Sequence, residues 1–164
     1  MSSREQILAD LRVNRPRVER PLPQVPLFDE PRPASLLSTF KENLERMGGL
    51  FIDPAGSGDP LGPVRQRLAQ AKVVCSTVPQ IGGNRDITQI RTSQDVADVD
   101  LAVVRAAFAV AETGSVLLGD AQLRFNAVGY LAQHLLVLLD PADIVINLHH
   151  AYQRPEFRNQ HIAE

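Results

Sequence analysis

Residues 95–119 read DVADVDLAVVRAAFAVAETGSVLLG, and the secondary structure assigned to this run decides the architecture of the chain. From Asp95 to Ala111 the run is rich in Ala and Val, and its spacing predicts a helix over much of its length. GSVLLG, residues 114–119, predicts a short apolar strand. Glu112 stands at the junction, the lone charge between Ala107 and Leu118. Beside Thr113 and Gly114 it has two readings. It reaches a ligand, as a base or as a nucleophile toward an activated acyl group. Alternatively, it accepts backbone or arginine hydrogen bonds and holds a turn.

Outward from this run, helical and strand patterns alternate. SREQILADLR reads as a helix, with Ser3 as N-cap and Gln6 at capping-box spacing. Val13 to Pro33 holds six of the twelve prolines, so residues 1–33 are predicted to be a helix followed by an extended arm outside the main core. The α/β domain is expected to begin at Ala34 and run to residue 164. ASLLSTFKENLERMG places Leu36, Leu37, Phe40, Leu44 and Met47 at helical spacing, with Gly48 available as terminator. GLFI (49–52) reads as a strand, Val64 to Ala69 as a short helix and KVVCS (72–76) as a strand. VPQIGGNRDITQIRTS (78–93) has turn chemistry. HLLVLL (134–139) reads as a buried strand, and PADIVINLHHAY (141–152) as helix-compatible after a boundary at Asp140 and Pro141. The alternation predicts an α/β layer fold with a mostly parallel sheet.

Composition removes several function classes. The 17 basic and 19 acidic side chains give a net charge of −2, with no basic stripe for nucleic acid. The single cysteine, Cys75, excludes an internal disulfide and any conventional iron–sulfur cluster held by this chain alone. HLLVLL is far short of the ~20 apolar residues that span a membrane, and no secretory leader is evident, which predicts a cytoplasmic protein. Neither a GxGxxG nor a phosphate-loop pattern occurs, so no nucleotide cofactor is predicted.

Besides Glu112, the candidate site residues are few. Arg124, in GDAQLRF, follows a predicted strand and could clamp a carboxylate or phosphate through its planar donor fork, or pair with Glu112 or Asp120. The placement predicts that Glu112 and Arg124 face one polar pocket or pair beneath it. Thr113 and Gly114 would belong to the ligand loop. Arg85 in GGNRD is a second anion-binding candidate, and Gly82 and Gly83 mark a turn or a close backbone approach. The histidines are His134, His149, His150 and His161, without the i,i+4 spacing of a helical zinc pair, and no metal site is predicted. His149 is retained as an acid–base candidate. Cys75 reads as a buried strand thiol.

DVDLAVVRAAFAVAETGSVLL, followed by LRFNAVGYLAQHLLVLLDPADIVINLHHAY, resembles the LUD domain of the lactate-utilization protein C (LutC/YkgG) family. AETG at 111–114, Arg124, QHLLVLL at 133–139, Ile144, Val145 and His149 to Tyr152 carry the likeness. The resemblance implies a NagB/RpiA/CoA-transferase-like fold, and a non-redox accessory role in oxidising L-lactate to pyruvate beside iron–sulfur partner proteins. It also leaves open binding of an anionic small molecule, homo-oligomerisation, an acyl-transfer enzyme using Glu112, and a structural remnant without activity. AETG is similar to the segment bearing the catalytic glutamate of CoA transferases, with Thr113 in place of Asn. The family's later GPSxTADIE and GxHGP segments have no counterpart, which predicts a domain incomplete at its carboxyl end.

Overall fold

Burial overrides helix propensity in the Ala- and Val-rich run. The computed structural model describes residues 2–16, 21, 23–30, 32–54 and 59–158. Its strands are β1 (Val74–Ser76), β2 (Leu101–Arg105), β3 (Phe108–Val110), β4 (Ser115–Leu117), β5 (His134–Leu138) and β6 (Ile144–Val145). Where a helix was expected across Asp95–Ala111, the chain makes a 3-10 turn at Ser93–Val96 and then β2 and β3. Leu101 to Val104 and Phe108 to Ala111 are all buried. A strand covered on both faces is apolar at every position, and periodicity then cannot separate it from a buried helix.

The fold is a mixed α/β arrangement. One sheet has the order β1–β2–β5, all parallel; the other has the order β4–β3–β6, with β3–β4 antiparallel and β3–β6 parallel. β2 runs into β3 through Ala106 and Ala107, whose amides donate to Leu138 (2.9 Å) and Leu117 (3.0 Å) respectively. β5 likewise leads into β6, so the two sheets continue one another along the same pair of chain segments.

Helices α1 (Ser3–Val13), α2 (Leu36–Arg46), α3 (Gly62–Leu68), α4 (Asp120–Leu123), α5 (Ala127–Leu131), α6 (Leu148–Ala151) and α7 (Pro155–Arg158) complete the described elements. The two-residue side-chain period of the strands sorts the core into layers. Val74, Leu101 and Val103 pack with Val64 of α3, while Cys75 and Ala102 face Val96, Val99 and Val128 on the opposite side. In β3 and just beyond it, Ala109 and Ala111 meet Phe40 of α2, whereas Phe108 and Val110 meet Ala151 of α6.

Helix α2 is locked onto the turn between β3 and β4. The Asn43 side-chain amide donates to the carbonyls of Ala111 (2.8 Å) and Glu112 (3.0 Å). Gly114, at φ +69°, lies so close that a Cβ there would sit 2.3 Å from the Leu44 nitrogen. Gly48 terminates α2 at φ +90°, as its position predicts, with open space around it.

Three further expectations change in detail. The N-cap of α1 is Ser2, and the capping box closes with Glu5: the Ser2 amide donates to Glu5 at 2.7 Å and the Glu5 amide to Ser2 Oγ at 3.3 Å. GLFI is not a strand; Leu50 is 78 % exposed and the Gly49 amide instead donates to Leu44 at 2.9 Å, closing the helix. PADIVINLHHAY divides into a 3-10 turn, β6 and α6. The described part of the proline-rich segment has neither helix nor strand, yet it touches the domain: Asn147 Nδ2 donates to the carbonyls of Leu27 (2.7 Å) and Phe28 (2.9 Å). Burial of Asn147 makes these satisfied bonds necessary.

The start of β1 is tied to that of β2 by a carboxylate. Asp100 accepts from the backbone amides of Val73 and Lys72, both at 2.9 Å, and these bonds hold its carboxyl below the usual carboxylate range. Hydrogen bonds from Thr88 lower Asp86, and the amides of Arg91 and Thr92 lower Asp95.

Two predictions follow from this packing. Gly114→Ala, which adds both positive-φ strain and a backbone clash, should destabilise the chain by more than about 2 kcal/mol, whereas Gly48→Ala should cost only about 1 kcal/mol. Urea unfolding of the two variants measures the difference. The second concerns acid. All three aspartates are depressed in the folded state, so their stabilisation is complete above the unfolded value of 3.8 and is lost as pH falls through the lower folded values. Asp100→Asn should therefore lower the urea midpoint at neutral pH and flatten its decline in acid.

Candidate ligand-binding site at the carboxyl ends of the parallel strands

Parallel α/β sheets expose ligand sites beyond the carboxyl ends of their strands, where loops diverge. Here β1 ends at Ser76 and β2 at Arg105. The ladder persists one residue past β1, with the Thr77 amide donating to Val103 at 2.9 Å. Ser76 Oγ then accepts from the Val78 amide at 3.1 Å, turning the chain into Pro79. The resulting Thr77–Pro79 wall is shared by two adjoining shallow cavities. One, of about 210 Å³, is bounded by Arg105, Ala106, Ala121 and Gln122; the other, of about 250 Å³, by Ser76, Ile87 and Arg124.

The electrostatics of the two cavities, together the groove at these strand ends, are one-sided. No lining residue is acidic. Among the described residues, neither Arg105 nor Arg124 has an ion-pair or side-chain hydrogen-bond partner, and both are exposed. Gln122 Oε1 accepts from the Gly119 amide at 3.0 Å, which fixes the side chain's amide orientation and leaves its NH₂ as a further donor. Arg124 follows α4 at φ 59° and ψ −33°, a backbone region that non-glycine residues occupy at a cost of about 1–2 kcal/mol. Its amide donates to Asp120 at 2.7 Å, so the short helix itself turns the residue toward the groove.

Arg105 was not legible as a site residue, because the run containing it reads as helix. Its signal was the single charge between Leu101 and Val110, an otherwise wholly apolar stretch.

Glu112 lies elsewhere. It forms no ion pair with Arg124 among the described residues and lines neither of these two cavities, so the expected meeting of the two side chains is not seen at either. The reason is connectivity: Glu112 tops the β3–β4 turn, while Arg124 comes after β4 and α4 at the other strand ends. The Glu112 amide donates to Ile146 at 3.0 Å and its Oε2 accepts a long 3.4 Å bond from the Leu148 amide. Its carboxylate thus meets the first turn of α6. Thr113 Oγ1 and Ser115 Oγ are 2.6 Å apart across the same turn. His149 sits one residue beyond Leu148 and stacks obliquely on Phe28, with ring centroids 4.8 Å apart. Glu112 and His149 are therefore gathered around one helix start, without Arg124. His150 Nδ1 is 3.0 Å from Asn147 Oδ1.

Arg85, Gly83 and Cys75 are bound into the fold. Arg85 is held by Asp98 (2.8 Å) and by the Asp95 carbonyl, so its guanidinium serves the fold rather than an anion. Gly83 provides a close approach, but to β1: a Cβ would lie 2.5 Å from the Val74 carbonyl oxygen. Cys75 is fully buried, and that burial pushes its thiol up despite nearby Arg85, which disfavours the reactive thiolate. His134 opens β5, at the opposite end of the sheet edge from His149. His161 lies outside the described residues. Among the described residues no three His, Cys, Asp or Glu side chains gather as a metal site, and no helix is long and apolar enough to cross a membrane.

The strain at Arg124 separates binding from stability. Arg124→Gly should weaken binding of a small carboxylate about 10- to 100-fold, the loss of a charge-assisted contact. It should leave unfolding stability unchanged or raised by about 1 kcal/mol through relief of the positive φ. Calorimetric titration and urea unfolding of the same variant check the two halves. Comparison of the chain with protein-family models, with curated proteins and with solved structures finds no match.

Proposed function

We propose that this chain is a ligand-binding, non-redox accessory component of L-lactate utilization that acts beside iron–sulfur partner proteins and holds a small carboxylate between Arg105 and Arg124. The observation that carries the binding half is the pair of uncompensated guanidiniums beside the carboxyl ends of β1 and β2, each lining one of two cavities that share the Thr77–Pro79 wall and hold no acid. Planar donor forks suit carboxylate, and Thr77 and Gln122 supply neutral donors for a hydroxyl or keto oxygen beside it. The resemblance of the AETG, QHLLVLL and LHHAY segments to the lactate-utilization protein C family supports the pathway and the finer NagB/RpiA/CoA-transferase-like assignment. One cysteine, buried at β1, cannot assemble a conventional cluster, so electron transfer is assigned to the partners. The groove favours binding over acyl transfer, because Glu112 lines neither of its halves and could not attack an acyl group held there.

Reconstitution tests the proposal. Purified chain is titrated with L-lactate and pyruvate, then added to the two iron–sulfur proteins while lactate-dependent electron transfer is followed. Saturable binding that Arg105→Gln and Arg124→Gln each weaken about tenfold or more, together with stimulation of the partners, is the expected result. Turnover of lactate by the isolated chain would overturn the accessory role. Binding unaffected by both arginine variants would overturn the site.

A further inference from the structure

We infer that the open edge formed by β5 and β6 is where two copies of this chain pair, strand to strand, about a two-fold axis. The strand orders β1–β2–β5 and β4–β3–β6 leave β5 and β6 with a neighbour on one side only. The His134 amide donates to Asp100 and the Leu138 carbonyl accepts from Ala106, both at 2.9 Å, so the even-numbered residues of β5 turn their backbone groups to β2. Strand alternation then turns the N–H and C=O groups of Leu135 and Val137 outward. No strand among the described residues pairs with that side.

Soluble proteins guard such an edge with charge, proline or a bulge, because a row of unpaired backbone groups recruits another strand. Gln133 to Leu139 contains no Lys, Arg, Asp, Glu or Pro. Large apolar side chains are exposed beside it: Leu135 at 37 % within the strand, and Tyr130 at 82 % and Leu131 at 43 % just before it.

The occupant follows from the backbone and the charges. A row of donors and acceptors is satisfied by a strand, not by the side chains of a helix. The strand is bracketed by His134 and Asp140, both exposed. Antiparallel pairing centred on Val137 sets each His134 opposite the other copy's Asp140 and pairs Val137 with its own counterpart. Its outward backbone groups then exchange bonds across the axis, and Leu135 meets Leu139. Like charges never face one another in this register. Parallel pairing would oppose Asp140 to Asp140.

Sedimentation equilibrium of the full chain over about three decades of concentration, with amide hydrogen exchange at each, tests the inference. A reversible dimer is expected, with protection of the Leu135 and Val137 amides rising as the dimer forms. Leu135→Pro removes an outward N–H without touching the β2 ladder, and should weaken the dimer at least about tenfold. Leu135→Lys, which adds edge charge at a residue outside the core clusters, should do the same with the circular dichroism spectrum retained. If the proline variant fails to fold, the lysine variant decides. A monomer at every concentration overturns the inference. So does a dimer that survives the folded variants or leaves both amides unprotected.

Discussion

One side-chain amide ties most of the second sheet together. Asn43 reaches from α2 to the carbonyls of Ala111 and Glu112, the two residues that leave β3, and those carbonyls would otherwise end a strand without ladder partners. The contact demands that α2 lie against the turn backbone, which only a glycine at 114 permits. It also demands small side chains beneath the helix, and Ala109 and Ala111 supply them under Phe40. Once the turn is held, β4 is directed back antiparallel along β3, while the Glu112 amide anchors the chain leaving β6 through Ile146. Helix, hairpin, parallel neighbour and the start of α6 thus depend on a single crossing.

Most of the charges given a place in the fold have a partner there. Asp86, Asp95 and Asp100 are surrounded by hydrogen-bond donors that favour their charged forms, and each fixes a turn or strand start. Arg85 and Arg154 are likewise matched with carboxylates. Arg105 and Arg124 have no such partner among the described residues, and both lie at the strand ends. What sets these two guanidiniums apart from other exposed arginines is their place, each lining a cavity without an acid beside the end of a parallel strand. Glu112 follows the rule of the other carboxylates, meeting a backbone amide of α6, although at 3.4 Å the bond is long.

Local signals read well wherever an element carries its own punctuation. α2 was legible from five apolar positions and the terminating Gly48, and β1 from KVVCS; HLLVLL, bounded by Asp140 and Pro141, is the strand β5, but an edge strand with no fully buried residue rather than the buried strand expected. GLFI failed because its first residue spends its amide closing α2 and Leu50 is left exposed, so residues 49–52 join no strand. The arginines of the groove show the same division. Arg124 stood out beside a turn, whereas Arg105 was hidden inside a run misread as helix.

By itself the sequence determined the apolar segments, their turns and the α/β class, because capping residues, prolines, glycines and periodicity act over a few neighbours. Tertiary structure alone decided that Leu101–Ala111 is two strands, since complete burial on both faces erases the period that distinguishes strand from helix. It also decided which candidate residues meet. Glu112 and Arg124 are twelve positions apart in the chain, but the hairpin turn that buries Gly114 against α2 sends them to different ends of the sheet. Arg105 and Arg124, nineteen positions apart, come to adjoining cavities because β2 ends at Arg105 and α4 brings Arg124 back beside the end of its parallel neighbour β1.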